Sequence, residues 1–398
     1  VTALDRLAAD ALAAARARRR VPGATYRLQF HKDFTLRDAL ALVPYLDALG
    51  VTHVYASPLL AARPGSLHGY DILDHDRLNP EIGTEADLAA LAAALRARGM
   101  GMILDVVPNH MCVSGENAWW ADVLEHGPAS PFAGYFDIAW HDAPRADMHG
   151  RLLLPVLGEP YGQILEAGQL KPGFERGGFV VRYWEATFPL DPRTYGQVLA
   201  PALDALRAAA GDDSPDVIEL RSVLTAIRHL PPRDEADPVH LVEGRAECGV
   251  IKRRLAELVG KSPLASVAVG DAVAKLAGTP GDPASFTAFD ALLESQAYRL
   301  SFWRVASDEI NYRRFFDVNE LAALSTERED VFRAVHRKWI GWVADGRADG
   351  LRIDHPDGLF DPKQYLDRLQ SHYLLAVAER LLAEKPQEYE GVQLPRDE

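Results

Sequence analysis

Between Ala24 and Val107 the sequence switches repeatedly between a hydrophobic period of two and one of about 3.6 residues. This alternation constrains the fold more than any other feature. ATYRLQF (24–30) is rich in β-formers, and Thr35, with Asp38 three positions on, opens a helix that stops at Gly50. VTHVYASP (51–58) reads as a second strand. After a polar, Gly-containing connection (61–83), Thr84 and Asp87 cap a second helix ending at Gly99, and GMILDVV (101–107) is a third strand. Strands that alternate with helices pair in parallel, because the crossover helix returns the chain to the same end of the sheet.

From about 111 to 345 the rhythm changes to aromatic-rich loops, Pro/Gly breaks and, in the second half, helical patterns such as AECGVIKRRLAELVG, with little strand signal. Alternation returns at GLRIDH. Leu351 and Ile353 share one face there, and Gly350, Arg352 and Asp354 the other. Pro362, following Asp361, then begins a long helix. The polar tail PQEYEGVQLPRDE (386–398) is expected to be a surface loop. The predicted organisation is therefore 1–110, carrying strands one to three, an inserted and mainly helical 111–345, and 346–398, carrying strand four and its helix.

The chain's 398 residues carry 57 acidic against 43 basic side chains, a net charge of -14 that disfavours nucleic acid and anionic membranes and suits a neutral substrate. Cys112 and Cys248 lack neighbours at metal-ligand spacing, and His68, His75, His141 and His149 form no metal pattern. No cofactor or metal is expected. The N-terminal stretch reads as an amphipathic helix with a basic end rather than a secretory leader, and no run is apolar enough to span a membrane. The expected compartment is the cytoplasm.

Polar residues collect where the strands end: Tyr26, Arg27 and Gln29, then Ser57, HGYD (68–71), DVVPNH (105–110) and RIDH (352–355). In parallel α/β folds the C-terminal strand ends form the active face. Arg352 and Asp354 stand on the same strand face, where the guanidinium can orient the carboxylate and favour its ionised form. An oriented, ionised carboxylate can attack an anomeric carbon.

DVVPNH and GLRIDHPDGL resemble the third- and fourth-strand signatures of the α-amylase superfamily, glycoside hydrolase family thirteen, and HGYDILDHDRLNPEIGTEADL resembles its second βα loop. YRLQFHKDFTL, SPLLAARPGSLHGYD, the run 294–324 and DGLRIDHPDGLFDPKQYL are similar to its trehalose-forming branch. The resemblance implies an α/β fold of the (β/α)8 barrel type, of which the chain holds strands one to four. It also implies a retaining transglycosylation that converts the reducing-end α-1,4 linkage of linear malto-oligosaccharides to an α,α-1,1 linkage, without cofactor. Asp354 is then the nucleophile and Arg352 its charge partner. His110 contacts sugar hydroxyls, Tyr70 stacks on the ring, and Asp105 with Asn109 orders the third-strand loop. His355 lines the acceptor side. NYRRFF (311–316), with Tyr312 and Arg313, and WRV (303–305) supply sugar-stacking faces, or else helix packing and salt bridges. Trp119, Trp120 and Trp184 are assigned to the core of the insertion.

The superfamily's general acid, a Glu at the end of strand five, has no placement. Glu379 and Glu384 fall in a helical pattern expected to face away from the strand ends. The expected partner is therefore the remaining half of the barrel, from a second chain or a C-terminal continuation. Alternative functions are an α-glucan hydrolase or glucanotransferase of the same superfamily, or a non-catalytic glucan-binding fragment.

Overall fold

The computed structural model describes residues 2–141, 146–235 and 237–394, arranged in two compact units. The first comprises Val1–Cys112 and Glu320–Glu398, the second Val113–Asn319. The end of the tail, 395–398, lies outside the described residues.

The first unit contains helices α1 (Ala3–Arg18), α2 (Leu36–Ala48), α3 (Glu85–Ala97), α4 (Glu329–Ala344) and α5 (Pro362–Glu384). Its strands are β1 (Thr25–Leu28), β2 (His53–Ala56), β3 (Leu60–Ala62), β4 (Ile72–Leu78), β5 (Gly101–Val106), β6 (His110–Cys112), β7 (Val318–Ala323, whose first residues belong to the second unit) and β8 (Gly350–Ile353). The expected caps form: the Thr35 and Thr84 side chains accept from the Asp38 and Asp87 amides, and each Asp reciprocates to its threonine's amide.

β1, β2, β5 and β8 pair in that order, all in parallel. Registers Arg27↔Tyr55, Tyr55↔Ile103 and Arg352↔Asp105 place these side chains on one face. The opposite face presents Leu28, Val54, Ala56, Met102, Leu104 and Val106, all buried against Leu46, Leu91, Trp339 and Tyr365 of the helices. Fully burying an aliphatic side chain of this kind stabilises by about 1.5–3 kcal/mol. One face is thus a helix-covered core and the other is polar. Parallel sheets are ordinarily covered on both faces. The sheet is open, and no closed barrel is formed among the described residues.

The connection read as a polar loop instead contains the antiparallel pair of β3 and β4. LAA offers no alternation, and the charges of ILDHDRL disguise a strand whose Ile72, His75 and Leu78 are buried. The tail is also tied down: Tyr389 is buried among Leu7, Ala11 and Val377, and its hydroxyl donates to Asp10 at 2.8 Å.

The second unit ends at Asn319, before the expected 345, because α4 packs its apolar stripe into the first unit's core. Helices dominate after Gly196, but strands Leu152–Leu157, Lys171–Glu175, Gly178–Tyr183, Ala186–Pro189 and Tyr298–Phe302 build small sheets that the sequence reading did not separate from loops. Trp120 is core. Trp184 is not: it sits at a hairpin tip with φ 50° and is 80% exposed, correcting its assignment to the core.

Candidate active site

The polar face of the sheet converges on Asp105, whose side chain is fully buried. Its Oδ2 accepts from Tyr55 Oη at 2.7 Å and Tyr70 Oη at 2.6 Å, while Oδ1 accepts from Arg352 Nη1 at 2.9 Å. Two hydroxyl donors and a cation therefore replace the water that this carboxylate loses on burial. Burial first, then the Asp105 hydrogen bond and charge, raise the pKa of Tyr70 well above the ordinary phenol range, and Tyr55 shifts the same way from the same causes. Both phenols stay protonated donors.

The same Arg352 Nη1 donates to Asp354 Oδ1 at 2.5 Å. Burial alone lowers the Arg352 pKa, but the hydrogen bond and charge of Asp105, followed by the hydrogen bond of Asp354, more than reverse that and leave it raised. Asp354 sits just beyond β8, its amide donating to Val106 O at 2.8 Å, and only 9% of the residue is exposed. Arg27 completes the cluster: its Nη2 donates to Tyr70 Oη at 3.2 Å, and its guanidinium lies 4.9 Å from the Tyr55 ring centroid.

The loop before β4 carries Tyr70. Arg63 N donates to Asp71 O at 3.0 Å, and Gln29 Nε2 donates to Leu67 O at 2.8 Å. Gly69, at φ +79°, passes so close to Pro58 that a Cβ would stand 2.8 Å from its carbonyl oxygen.

His110 and Asn109 are buried at the start of β6, which pairs with β7 through Ala323↔His110, while Leu324 N donates to Asn109 O at 2.8 Å. Burial lowers the His110 imidazole to about 4; the Tyr70 backbone works against that shift, and His355 reinforces it. His355 adopts a left-handed backbone, φ 47° and ψ 53°, and a Cβ on Gly358 would lie 2.2 Å from its ring and 3.1 Å from Asn109 Oδ1. The Asp354–Gly358 turn therefore closes directly onto the third-strand loop.

Asp105, Arg352, Asp354, Tyr70, His110, Asn109 and His355 are thus assembled around the strand ends of the first unit. Tyr312 and Arg313 belong to the second unit. Tyr312 is buried with its ring 5.6 Å from Trp120 and its hydroxyl donating to Asn319 O, and Arg313 Nε donates to Asp137 at 2.7 Å. Tyr55 was missed. Its signal was parity: Tyr55 is in register with Ile103, two residues before Asp105 on the same strand, so Tyr55 and Asp105 face the same side. Glu379 and Glu384 are exposed on α5, as the helical pattern indicated. Among the described residues no cluster of three His, Cys, Asp or Glu side chains is placed to hold a metal ion, and no helix is long and apolar enough to cross a membrane.

Residues 37–155 match the family described as alpha amylase, catalytic domain. Over 353 residues, 87% of its length, the chain is 33% identical to the maltooligosyl trehalose synthase assigned in Mycobacterium tuberculosis (strain ATCC 25618 / H37Rv), covering 32% of that protein. The solved maltooligosyltrehalose synthase from Arthrobacter ramosus is 32% identical, with a TM-score of 0.60 over 89% of this chain and 34% of its own. A hypothetical maltooligosyl trehalose synthase from Sulfolobus tokodaii is 27% identical, with a TM-score of 0.56 over 89% of this chain and 34% of its own. The chain spans about a third of the length of these relatives. With the strand-end signatures gathered around one buried carboxylate, the chain matches the alpha-amylase catalytic domain over residues 37–155 and is similar along most of its own length to maltooligosyl trehalose synthases.

Proposed function

We propose that this chain contributes the nucleophile half of a retaining α-glucan transglycosylase that converts the reducing-end α-1,4 linkage of malto-oligosaccharides to an α,α-1,1 linkage. The observation that carries this is the Arg352 guanidinium held between two carboxylates, one buried and saturated with donors, the other at the strand end. Asp105 is engaged by two tyrosines and an arginine and acts as an anchor. Asp354 is the carboxylate left to react. It attacks the anomeric carbon, the glycosidic oxygen leaves with a proton from a general acid, and a covalent glycosyl-enzyme forms. The released glucose then attacks through its own anomeric hydroxyl, giving up that proton to the same acid, now a base, and expelling Asp354.

The fold proposed for the complete catalytic unit is the (β/α)8 barrel, with the open sheet as its first four strands and the general acid on a strand-end glutamate of the other half. Tyr70 and His110 border the sugar site, Asn109 orders the third-strand loop with Asp105, His355 lines the acceptor side, and Tyr312 and Arg313 act as packing residues of the second unit. The substrate is neutral, consistent with the acidic balance of the chain, and the compartment is cytoplasmic. Incubating the full-length protein containing this chain with maltopentaose tests the reaction. Loss of reducing ends without change in chain length is expected, and shorter reducing sugars would instead identify a hydrolase.

A further inference from the structure

Arg27 stands on the edge strand β1, where a charged side chain commonly serves to keep an open edge in solvent. Its surroundings point elsewhere. The side chain is 34% exposed, whereas those of Arg37 on α2 and Arg337 on α4 are 76% and 74% exposed. Its Nη2 lies 4.0 Å from the buried Asp105 Oδ2, and its guanidinium rests 4.9 Å from the Tyr55 ring centroid. Among the described residues its side chain makes one hydrogen bond, to Tyr70 Oη at 3.2 Å.

That bond has one direction. A guanidinium only donates and an ionised carboxylate only accepts, so the single Tyr70 hydroxyl proton points at Asp105 Oδ2, 2.6 Å away, and the Tyr70 oxygen accepts from Arg27. A row of donors thus runs from Arg27 through Tyr70 to one oxygen of Asp105, while Arg352 donates to the other oxygen and to Asp354. Such rows strengthen one another, because each donor polarises the next. Arg27 is in register with Tyr55 and Asp105 with Arg352, and Tyr55 Oη spans the step between the two pairs to reach Asp105 Oδ2 at 2.7 Å.

The charges of this row balance, two guanidiniums against two carboxylates. Without Arg27, Arg352 alone faces both Asp105 and Asp354, in a partly buried setting where each attraction is about four times that in bulk water. The buried Asp105 then holds the guanidinium more tightly, and Asp354 is held less.

We infer that Arg27 is a positioning residue: acting through the Tyr70 hydroxyl, it shares the charge of Asp105 and so leaves the Arg352 guanidinium available to orient Asp354. That Asp354 is the attacking group rests on the function proposed above. The expected signature is slower turnover with substrate binding little changed, because the balance governs the carboxylate and not the sugar contacts.

Steady-state kinetics of the full-length protein containing this chain, on maltopentaose, test this. Arg27→Ala is expected to lower kcat about tenfold with KM within about twofold, and Arg27→Lys, which keeps the charge, to recover part of the loss. In a Tyr70→Phe background Arg27→Ala is expected to cost less than about threefold, since the row is already broken. Guanidinium ion below denaturing concentration is expected to raise kcat of Arg27→Ala and not of the parent, a response that lost packing does not give. Equal losses in the two backgrounds, an unchanged kcat in Arg27→Ala, or a loss that guanidinium does not relieve overturns the positioning role and leaves the Asp354 assignment standing. Hydrolysis by the parent overturns the transglycosylase reading alone, since the Arg27 comparison then runs on the hydrolytic rate. A parent without turnover overturns both.

Discussion

Arg352 and Asp105 lie opposite each other in parallel register, with the guanidinium Nη1 2.9 Å from the carboxylate Oδ1. That nitrogen also meets Asp354, so the orientation of the strand-end carboxylate is set by an arginine itself positioned by a buried anion. Arg352→Lys keeps the charge but replaces the planar fork with a single point donor. Turnover is expected to fall about 100-fold, the loss of one charge-assisted hydrogen bond in the transition state. Steady-state kinetics on maltopentaose check this, and a kcat within about twofold of the parent would refute the positioning role.

Asp105→Asn tests the anchor. The amide is close in shape, but it carries no charge for Arg352 and turns one acceptor into a donor facing a tyrosine hydroxyl or the guanidinium. Stability is expected to drop by about 1–3 kcal/mol in urea unfolding, with Tyr70→Phe costing less because the phenylalanine leaves Tyr55 and Arg352 in place.

Buried histidines make stability pH-dependent. Burial lowers His110 to about 4 and His75 to about 3. The unfolded chain titrates near 6.5, so as pH falls below about 6.5 it binds protons that the folded chain refuses. Stability present above that value is lost progressively as pH falls toward the folded values, by up to about 1.4 kcal/mol per unit for each histidine. Urea unfolding between pH 6.5 and 5, a range above most carboxylate titration, is expected to show this slope, and His75→Asn to make it shallower. An unchanged slope would show that His75 is not held neutral.

Gly358→Ala forces a methyl group against the His355 ring, where a Cβ would stand 2.2 Å away. The ring or the Asp354–Gly358 turn must move. A kcat loss larger than the loss in thermal midpoint explains is expected, measured by paired kinetics and calorimetry, whereas Gly50→Ala, whose Cβ meets nothing within 4 Å, perturbs only its left-handed backbone and leaves kcat unchanged.

The strands, helices and caps of the sheet were legible because each carries its own period and its own Thr/Asp boundary. β3 and β4 were not: buried on Ile72, His75 and Leu78 but charged between, β4 reads as loop. Within the site, Asp105, Arg352 and Asp354 were recognisable from strand-end motifs, whereas Tyr55 declared itself only through register with the neighbouring strand. Trp184 shows the opposite limit. An aromatic residue's type suggests a core, but a left-handed turn at a hairpin tip places it in solvent, and nothing in the local pattern announces that turn.

The identity of the nucleophile has the most direct test. A 5-fluoro-α-glucosyl fluoride carries a leaving group that departs without a general acid, so it can trap the glycosyl-enzyme on the protein containing this chain. Peptide mapping is expected to find the added sugar on Asp354 and none in Asp354→Asn. Label on Asp105 or on any other carboxylate, with Asp354 unmodified, would contradict the assignment.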